Sequence, residues 1–373
     1  MYTPRPSVAA AAESSAEKRF DVLHVAAGCW QTGGGLSEAL AGLALAQARM
    51  GRRVALLFLD DRPEHPQVAD CRAAGVEVFK LSRWIHDPFY FAPALITRLP
   101  QWIAKSACVH LHGFWSFPVW WAGRCARRAG VPFFLSPHGA FSAVAQRRGR
   151  LRKALYLAWG GRRLVAEAQC VCAASAREEA DLRHLGVRAE ALVRLPNGLN
   201  TAALDGVAAQ KREPFVLFLG RLHPLKGLDL LLEAWEAAAP PPSWRLVIAG
   251  PADGYTLPPL PPGVEAIGAC FGEEKVRLLK SAACLVCPSL SENFGLAVAE
   301  ALYCRTPVIA TQGTPWPQLG KFWVEPTVPA LAEALKRIFT AEAGALEAHF
   351  APIYAATQRA FRWEEILKES PLG

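Results

Sequence analysis

The stretch FDVLHVAAGCWQTGGGLSEALAGLALAQARMGRRVALLFLD, from Phe20 to Asp60, decides how the chain folds. It opens on an apolar run short enough for a strand buried on both faces. A glycine loop follows, then a segment of helix formers, then a second apolar run. Strand, loop, helix, strand is one βαβ unit, whose crossover lays both strands parallel in one sheet.

Working outward, the same alternation continues through GVEVFKL, ACVHLHG, PVWWAGRCARRAG, VPFFLSPHG and AQCVCAAS, which predicts a doubly wound parallel sheet for the first half. It lapses at RLPNGLNTAALDGVAAQKREP, where Pro, Gly and Asn give way to a polar run, and restarts at FVLFLGRL. The expected organisation is a disordered tail over 1–19, an α/β domain over 20–195, a linker over 196–213 and a second α/β domain over 214–350. A closing helix over 351–373 is expected to pack back onto the first domain. A length of 373 residues agrees with two domains at roughly 150 residues each.

Hydrophobic residues make up 52% and charged residues 20%, which excludes disordered and fibrous classes. The formal net charge of +8 favours anionic partners: phosphorylated small molecules, phospholipid or nucleic acid. The first residues lack the apolar core of a signal peptide, and no later stretch offers ~18 apolar residues without charge or proline. A cytosolic protein is expected. The ten cysteines include Cys170 with Cys172 and Cys284 with Cys287, but these sit in strand-like apolar runs without a companion cluster at zinc spacing. Buried thiols are the expected reading.

Three loops carry chemistry. Gly33, Gly34 and Gly35 join the first strand to the first helix, where bare amides can approach a phosphate; a plain tight turn is the competing reading. His138 in SPHGAF ends a strand at the carboxyl edge, where open α/β sheets place ligands, and is either functional or structural. His110 and His112 alternate with apolar residues as strand-end packing would. In GRLHPLKG, Arg221 and Lys226 precede a helix and suit a diphosphate clamp, one as a bidentate fork and the other as a point charge; two solvated surface charges are the competing reading. Farther on, SENFGLAVAEAL puts Glu292 in a loop and Glu300 eight positions later. If a helix begins near Gly295 the two are about 12 Å apart, roughly the span from a hexose to a ribose. Amides around Asn293, Phe294, Gly295 and Leu296 would lie between them. Carboxylates suit hydroxyl recognition, and an unpaired charge at Glu300 among apolar neighbours would be costly.

The ordered set GGG, SPHG, LPNGLN, GRLHPLKG, VIAGP and SLSENFGLAVAEALYCRTPVIAT resembles the retaining GT-B glycosyltransferases of family four, over about residues 20 to 330. The resemblance implies two Rossmann-like domains facing a cleft and a nucleotide-diphosphate sugar held mainly by the second. It implies that Arg221 and Lys226 neutralise the diphosphate, Glu292 holds sugar hydroxyls, Glu300 binds the ribose, and His138 lies near the donor sugar. Gly33 to Gly35 would lie near the phosphates or the acceptor, and IGACFGEEK would cup the base. Neither metal nor other cofactor is implied, since the two cations stabilise the leaving group. The expected activity is sugar transfer to a saccharide or lipid-linked saccharide in cell-surface glycan synthesis. A nucleotide-sugar epimerase and a non-catalytic binding protein are the alternatives. Gln318 departs from the pattern, standing where relatives often carry an acid.

Arg147, Arg148, Arg150, Arg152 and Lys153 interleave with Leu, Tyr and Trp. This basic amphipathic face suits peripheral contact with an anionic membrane, on the inner face of the cell membrane, or is a solvated helix face. No RNA-binding signature accompanies it, so no nucleic-acid partner is expected.

Overall fold

The computed structural model describes residues 18–30, 34–59, 62–84, 89–147 and 149–372. Gly33, Arg148 and most of the expected tail lie outside them. The chain divides into two compact units, one running to Gly198 and resuming at Trp363, the other Leu199–Arg362.

In the first unit Phe20–Ala26 (β1), Val54–Leu59 (β2), Glu77–Leu81 (β3), Ser106–His112 (β4), Phe133–Ser136 (β5), Cys170–Ala173 (β6) and Leu192–Arg194 (β7) form one sheet in the order β3-β2-β1-β4-β5-β6-β7. Every pairing is parallel. Side chains alternate between two faces, and both are covered. Leu23, Val25, Val109, Leu111 and Leu135 pack with Leu95 and Leu99 of the helix Ala94–Ala104 and with Val119 and Ala122 of Phe117–Arg128. On the other face Val22, Leu56, Phe58 and Cys108 pack under Leu40 and Leu43 of the helix Gly35–Arg49. Burial on both faces is why these strands read as apolar runs rather than alternating ones.

In the second unit Glu213–Leu219 (β8), Arg245–Ala249 (β9), Val264–Gly268 (β10), Ala282–Cys287 (β11), Val308–Thr311 (β12) and Trp323–Val324 (β13) form a parallel sheet in the order β10-β9-β8-β11-β12-β13. The strand order reverses between β8 and β11, as it does between β1 and β4 in the first sheet. Such switch points open a crevice beyond the carboxyl ends of the strands, which is where open α/β sheets bind ligands.

The boundaries differ from the expected ones in three places. Arg19, placed in the tail, makes a bidentate pair with Glu77, at 2.6 Å for its shorter bond. Residues 199–212, expected as linker, belong to the second unit and include the helix Thr201–Asp205. The closing segment is two helices: Ala343–Ala360 stays with the second unit, and the chain turns where Phe361 packs against Phe294 and Trp316. Only the short helix Trp363–Lys368 rejoins the first unit, burying Trp363, Ile366 and Leu367 on its covered face. Glycine admits the indole there, since a Cβ at Gly42 or Gly198 would lie 2.6 Å or 2.3 Å from Trp363. All ten cysteines are unpaired, and seven are buried.

Candidate functional site

In the second unit, two loops that are far apart in sequence meet at the switch point. After β8 the chain makes a 3₁₀ turn, Pro224–Lys226, ended by Gly227 at φ 69°. A Cβ at Gly227 would lie 2.1 Å from the Pro288 carbonyl oxygen, so only glycine lets this turn press against the loop after β11. The Leu290 amide donates to Leu225 O at 2.9 Å, tying the loops together. As a result the Lys226 ammonium forms an ion pair with Glu292 Oε2, both side chains less than a quarter exposed. Burial works against the ammonium, but the adjacent Glu292 outweighs it and holds Lys226 above the ordinary lysine value. Ser289 Oγ donates to Glu292 at 3.2 Å, and the Glu292 amide donates to Gly313 O at 2.8 Å.

The helix Leu296–Tyr303 then starts from Gly295, which caps it in the left-handed region at φ 85°. The preceding residue Phe294 is buried, and its carbonyl accepts from Trp316 Nε1 at 2.5 Å. This terminus directs backbone N–H groups and the positive end of the helix dipole toward the loop that carries Asn293. Glu300 lies inside the helix with its side chain only 6% exposed, paired at 2.7 Å with Lys275 of the helix Gly272–Ser281. That pairing answers the cost of a charge among apolar residues. Arg221 pairs with Asp253 at 2.5 Å in a well-exposed position, a contact worth little to stability.

In the first unit, His138 follows β5 and stands in the left-handed region at φ 53°, followed by Gly139 at φ 80°. The buried Glu178 holds this turn, accepting from the Gly139 amide at 2.5 Å and the Ala174 amide at 2.8 Å. Gly34 and Gly35 open the helix Gly35–Arg49, with Gly34 as its cap at φ 63°. Behind His138 lie three buried rings, His24, His110 and His112, whose ligating atoms all fall within 4.8 Å of one another. This spacing could hold a metal ion. Every ring nitrogen of the three except His110 Nδ1 is already hydrogen-bonded to His138, Gln47, Ser136 or another of the rings.

Burial holds His24 and His138 down at about 4, and His110 and His112 well below the ordinary histidine value. The unfolded chain therefore binds protons between pH 6.5 and 4 that the folded chain refuses, so this stability is complete above about 6.5 and is lost as pH falls to about 4. For His24 alone the loss is on the order of 3 kcal/mol. Urea midpoints measured at pH 7.5, 6.0 and 5.0 should fall steadily; a flat profile would mean the rings are hydrated or already charged.

Of the basic stretch, Arg147 ends the short helix Ala143–Arg147, and Arg150, Arg152 and Lys153 lie on Arg150–Tyr156. Lys153 donates to Ala145 O and lies 5.1 Å from the Trp115 ring centre. Leu151, Leu155 and Trp159, four positions apart, are 74%, 62% and 79% exposed. Among the described residues no helix is long and apolar enough to cross a membrane.

The residues absent from the sequence reading are Asp253, Lys275, Ser289, Trp316 and Glu178. Lys275 stood in the stretch expected to cup a base, unassigned. Glu178 had a legible signal, Ser175-x-x-Glu178, which normally marks a capping box. Ser175 does accept from the Glu178 amide at 3.2 Å, and the carboxylate reaches beyond the helix start to the amides of Ala174 and of Gly139 in the His138 loop.

Two Rossmann-like parallel sheets with ligand loops at their switch points define the GT-B class of fold. A glycosyl transferase 4-like domain matches residues 34–198 and the glycosyl transferases group 1 domain matches residues 213–341, and the chain belongs to this family. A D-inositol 3-phosphate glycosyltransferase of Segniliparus rotundus is 29% identical over 234 residues, covering 56% of this chain and 51% of that protein. One from Mycobacterium sp. strain KMS is 36% identical over 126 residues, 30% of this chain and 28% of that protein. The matches thus span about half, or less, of these relatives' length. Among solved structures, Anabaena Alr3699/HepE in complex with UDP and glucose superimposes with a TM-score of 0.71 at 16% identity, covering 93% of this chain and 97% of that one. WaaG, a glycosyltransferase involved in lipopolysaccharide biosynthesis, does so at 0.65 and 15%, over 94% and 98%.

Proposed function

We propose that this protein is a retaining glycosyltransferase that moves a sugar from a nucleoside diphosphate donor to a saccharide or lipid-linked saccharide of the cell surface. The observation that carries this reading is the Lys226–Glu292 ion pair beside the glycine-capped helix, with Glu300 held inside that helix by Lys275. Cation, backbone amides and carboxylates are the kinds of group that a diphosphate and sugar hydroxyls require. The complexes of HepE with UDP and glucose and with UDP-glucose support a uridine donor, and WaaG's role in lipopolysaccharide synthesis supports a cell-surface product.

As the bond from the anomeric carbon to the β-phosphate oxygen breaks, its electron pair leaves with that oxygen. Lys226, Arg221 and the amides near Phe294 to Leu296 stabilise the developing charge. In this reading the Lys226–Glu292 contact loosens as the ammonium turns to phosphate, leaving Glu292 to accept from sugar hydroxyls. Glu300 accepts from the ribose, and on the first unit His138 accepts from a substrate hydroxyl. The acceptor hydroxyl bonds to the carbon on the face the phosphate leaves, and its proton passes to the departing phosphate. Arg221 and Lys226 supply the charge stabilisation, so we propose that turnover needs no metal.

The test is a thermal-shift screen of UDP, GDP, ADP, CMP and their sugar conjugates, followed by NMR of the product. Ligand at 100-fold over its Kd stabilises the fold by about 2.7 kcal/mol. A shift with one nucleoside diphosphate, retained anomeric configuration and turnover in EDTA are expected. Inversion, or activity lost in EDTA and restored by Mg²⁺, would overturn the mechanism, and no shift with any of these ligands would favour a non-catalytic protein.

The exposed Leu151, Leu155 and Trp159 among Arg150, Arg152 and Lys153 support peripheral contact with an anionic membrane. Neutralising Arg147, Arg148, Arg150, Arg152 and Lys153 should abolish sedimentation with phosphatidylglycerol vesicles, at about 1 kcal/mol per charge. Sedimentation that persists would remove this stretch from membrane binding.

A further inference from the structure

The line of buried rings behind His138 has a direction. His138 Nε2 meets His112 Nδ1 at 3.1 Å, His112 Nε2 meets His24 Nδ1 at 2.9 Å, and His24 Nε2 meets Gln47 Oε1 at 2.7 Å. Gln47 Nε2 then donates to the Leu372 carbonyl at 2.8 Å. His24, His112 and Gln47 are each at most 2% exposed.

The far end sets that direction. A backbone carbonyl only accepts, so Gln47 must aim its NH₂ group at Leu372, which turns Oε1, an obligate acceptor, toward His24. His24 must then carry its proton on Nε2. Burial keeps the ring neutral, so its Nδ1 is bare and accepts from His112 Nε2–H. His112 is likewise neutral, and its bare Nδ1 accepts from His138 Nε2–H. One amide orientation thus propagates through three rings, because a neutral imidazole has one donor and one acceptor.

We propose that Gln47, anchored by the Leu372 carbonyl, is a positioning residue that acts through His24 and His112 to hold His138 as the Nε2–H tautomer, leaving its Nδ1 to accept a hydrogen bond from a substrate hydroxyl. The line ends on an amide, which takes up no proton, so it orients His138 and does not conduct. Glu178 complements it by fixing the backbone on which His138 stands. The use of Nδ1 by substrate rests on the glycosyltransferase reading above; the tautomer does not.

The test is long-range ¹H–¹⁵N correlation on ¹⁵N-histidine-labelled protein at pH 7.5, which separates protonated from bare ring nitrogens. Nε2–H is expected for His24, His112 and His138. Gln47→Glu places a carboxylate against His24 and favours its imidazolium, which donates from both nitrogens. His112 and His138 must then accept at Nε2, and both invert to Nδ1–H. With His138 turned from acceptor to donor, kcat should fall roughly tenfold, the effect of one lost hydrogen bond to substrate. Gln47→Leu, which only removes the acceptor, should give mixed tautomers.

Nδ1–H at His138 in the unaltered protein, or no inversion in Gln47→Glu, overturns the proposal, and the first of these can be read even if the variants fail to fold. Bare ligating nitrogens on all of His24, His110 and His112 with stoichiometric zinc in the purified protein overturn it in favour of a metal site. Inversion with unchanged kcat leaves the relay standing and removes His138 from the proposed mechanism.

Discussion

Lys226→Ala is expected to lower kcat/KM by about 10² to 10³, the loss seen when one preorganised donor to a developing negative charge is removed. The ammonium is held above its ordinary pKa by Glu292, so it stays charged throughout the neutral range and is aimed before substrate arrives. Its loss has a second effect, because Glu292 is left with the Ser289 hydroxyl in a place only 17% exposed. A polar group stranded in this way costs about 1–3 kcal/mol. The two effects separate in the double variant Lys226→Ala with Glu292→Gln, which should recover most of the urea midpoint and none of the turnover. Lys226→Arg should not restore full activity, since the fork is larger and differently shaped than the point charge it replaces. Near-normal turnover in Lys226→Ala would remove this residue from the chemistry.

Glu300→Ala is expected to raise the Kd for the nucleoside diphosphate about 10- to 100-fold, through loss of the carboxylate proposed to hold the ribose. It should also cost stability, because it breaks a pair with Lys275 whose side chains are 6% and 16% exposed. Breaking a buried pair costs about 3–5 kcal/mol. Glu300→Ala with Lys275→Met tests the two losses apart. The added variant replaces the buried ammonium by an apolar side chain and should restore the melting temperature, while calorimetry should still show weak binding. Unchanged affinity in the stably folded double variant would contradict the ribose role and leave the pair as a packing device.

Much of the candidate site was legible because its signals are local. Gly227 and Gly295 mark turns in the left-handed region, and each begins a helix where the apolar spacing changes from strand to helix period. Arg221, Lys226, Glu292 and Glu300 could therefore be placed on loops and helices by position alone. Their partners could not, because an ion pair has no sequence period. Lys226 and Glu292 are 66 residues apart, and they meet only because β8 and β11 are adjacent in the sheet. Lys275 reads as one more charge on an amphipathic helix until that helix is packed beside the one that carries Glu300.

The short-range pattern of apolar runs, glycine turns and amphipathic helices determined the two α/β halves and the loops that bear charge, since strand burial and turn conformation depend on a few neighbouring residues. Tertiary structure decided which charges neutralise one another, where the closing helices belong, and what His24, His110 and His112 do. In sequence those histidines fit apolar strands, as packed neutral rings would. The hydrogen-bonded line through His112 and His24 appears only when β4 lies parallel beside β1 and Gln47 reaches a carbonyl 325 residues away.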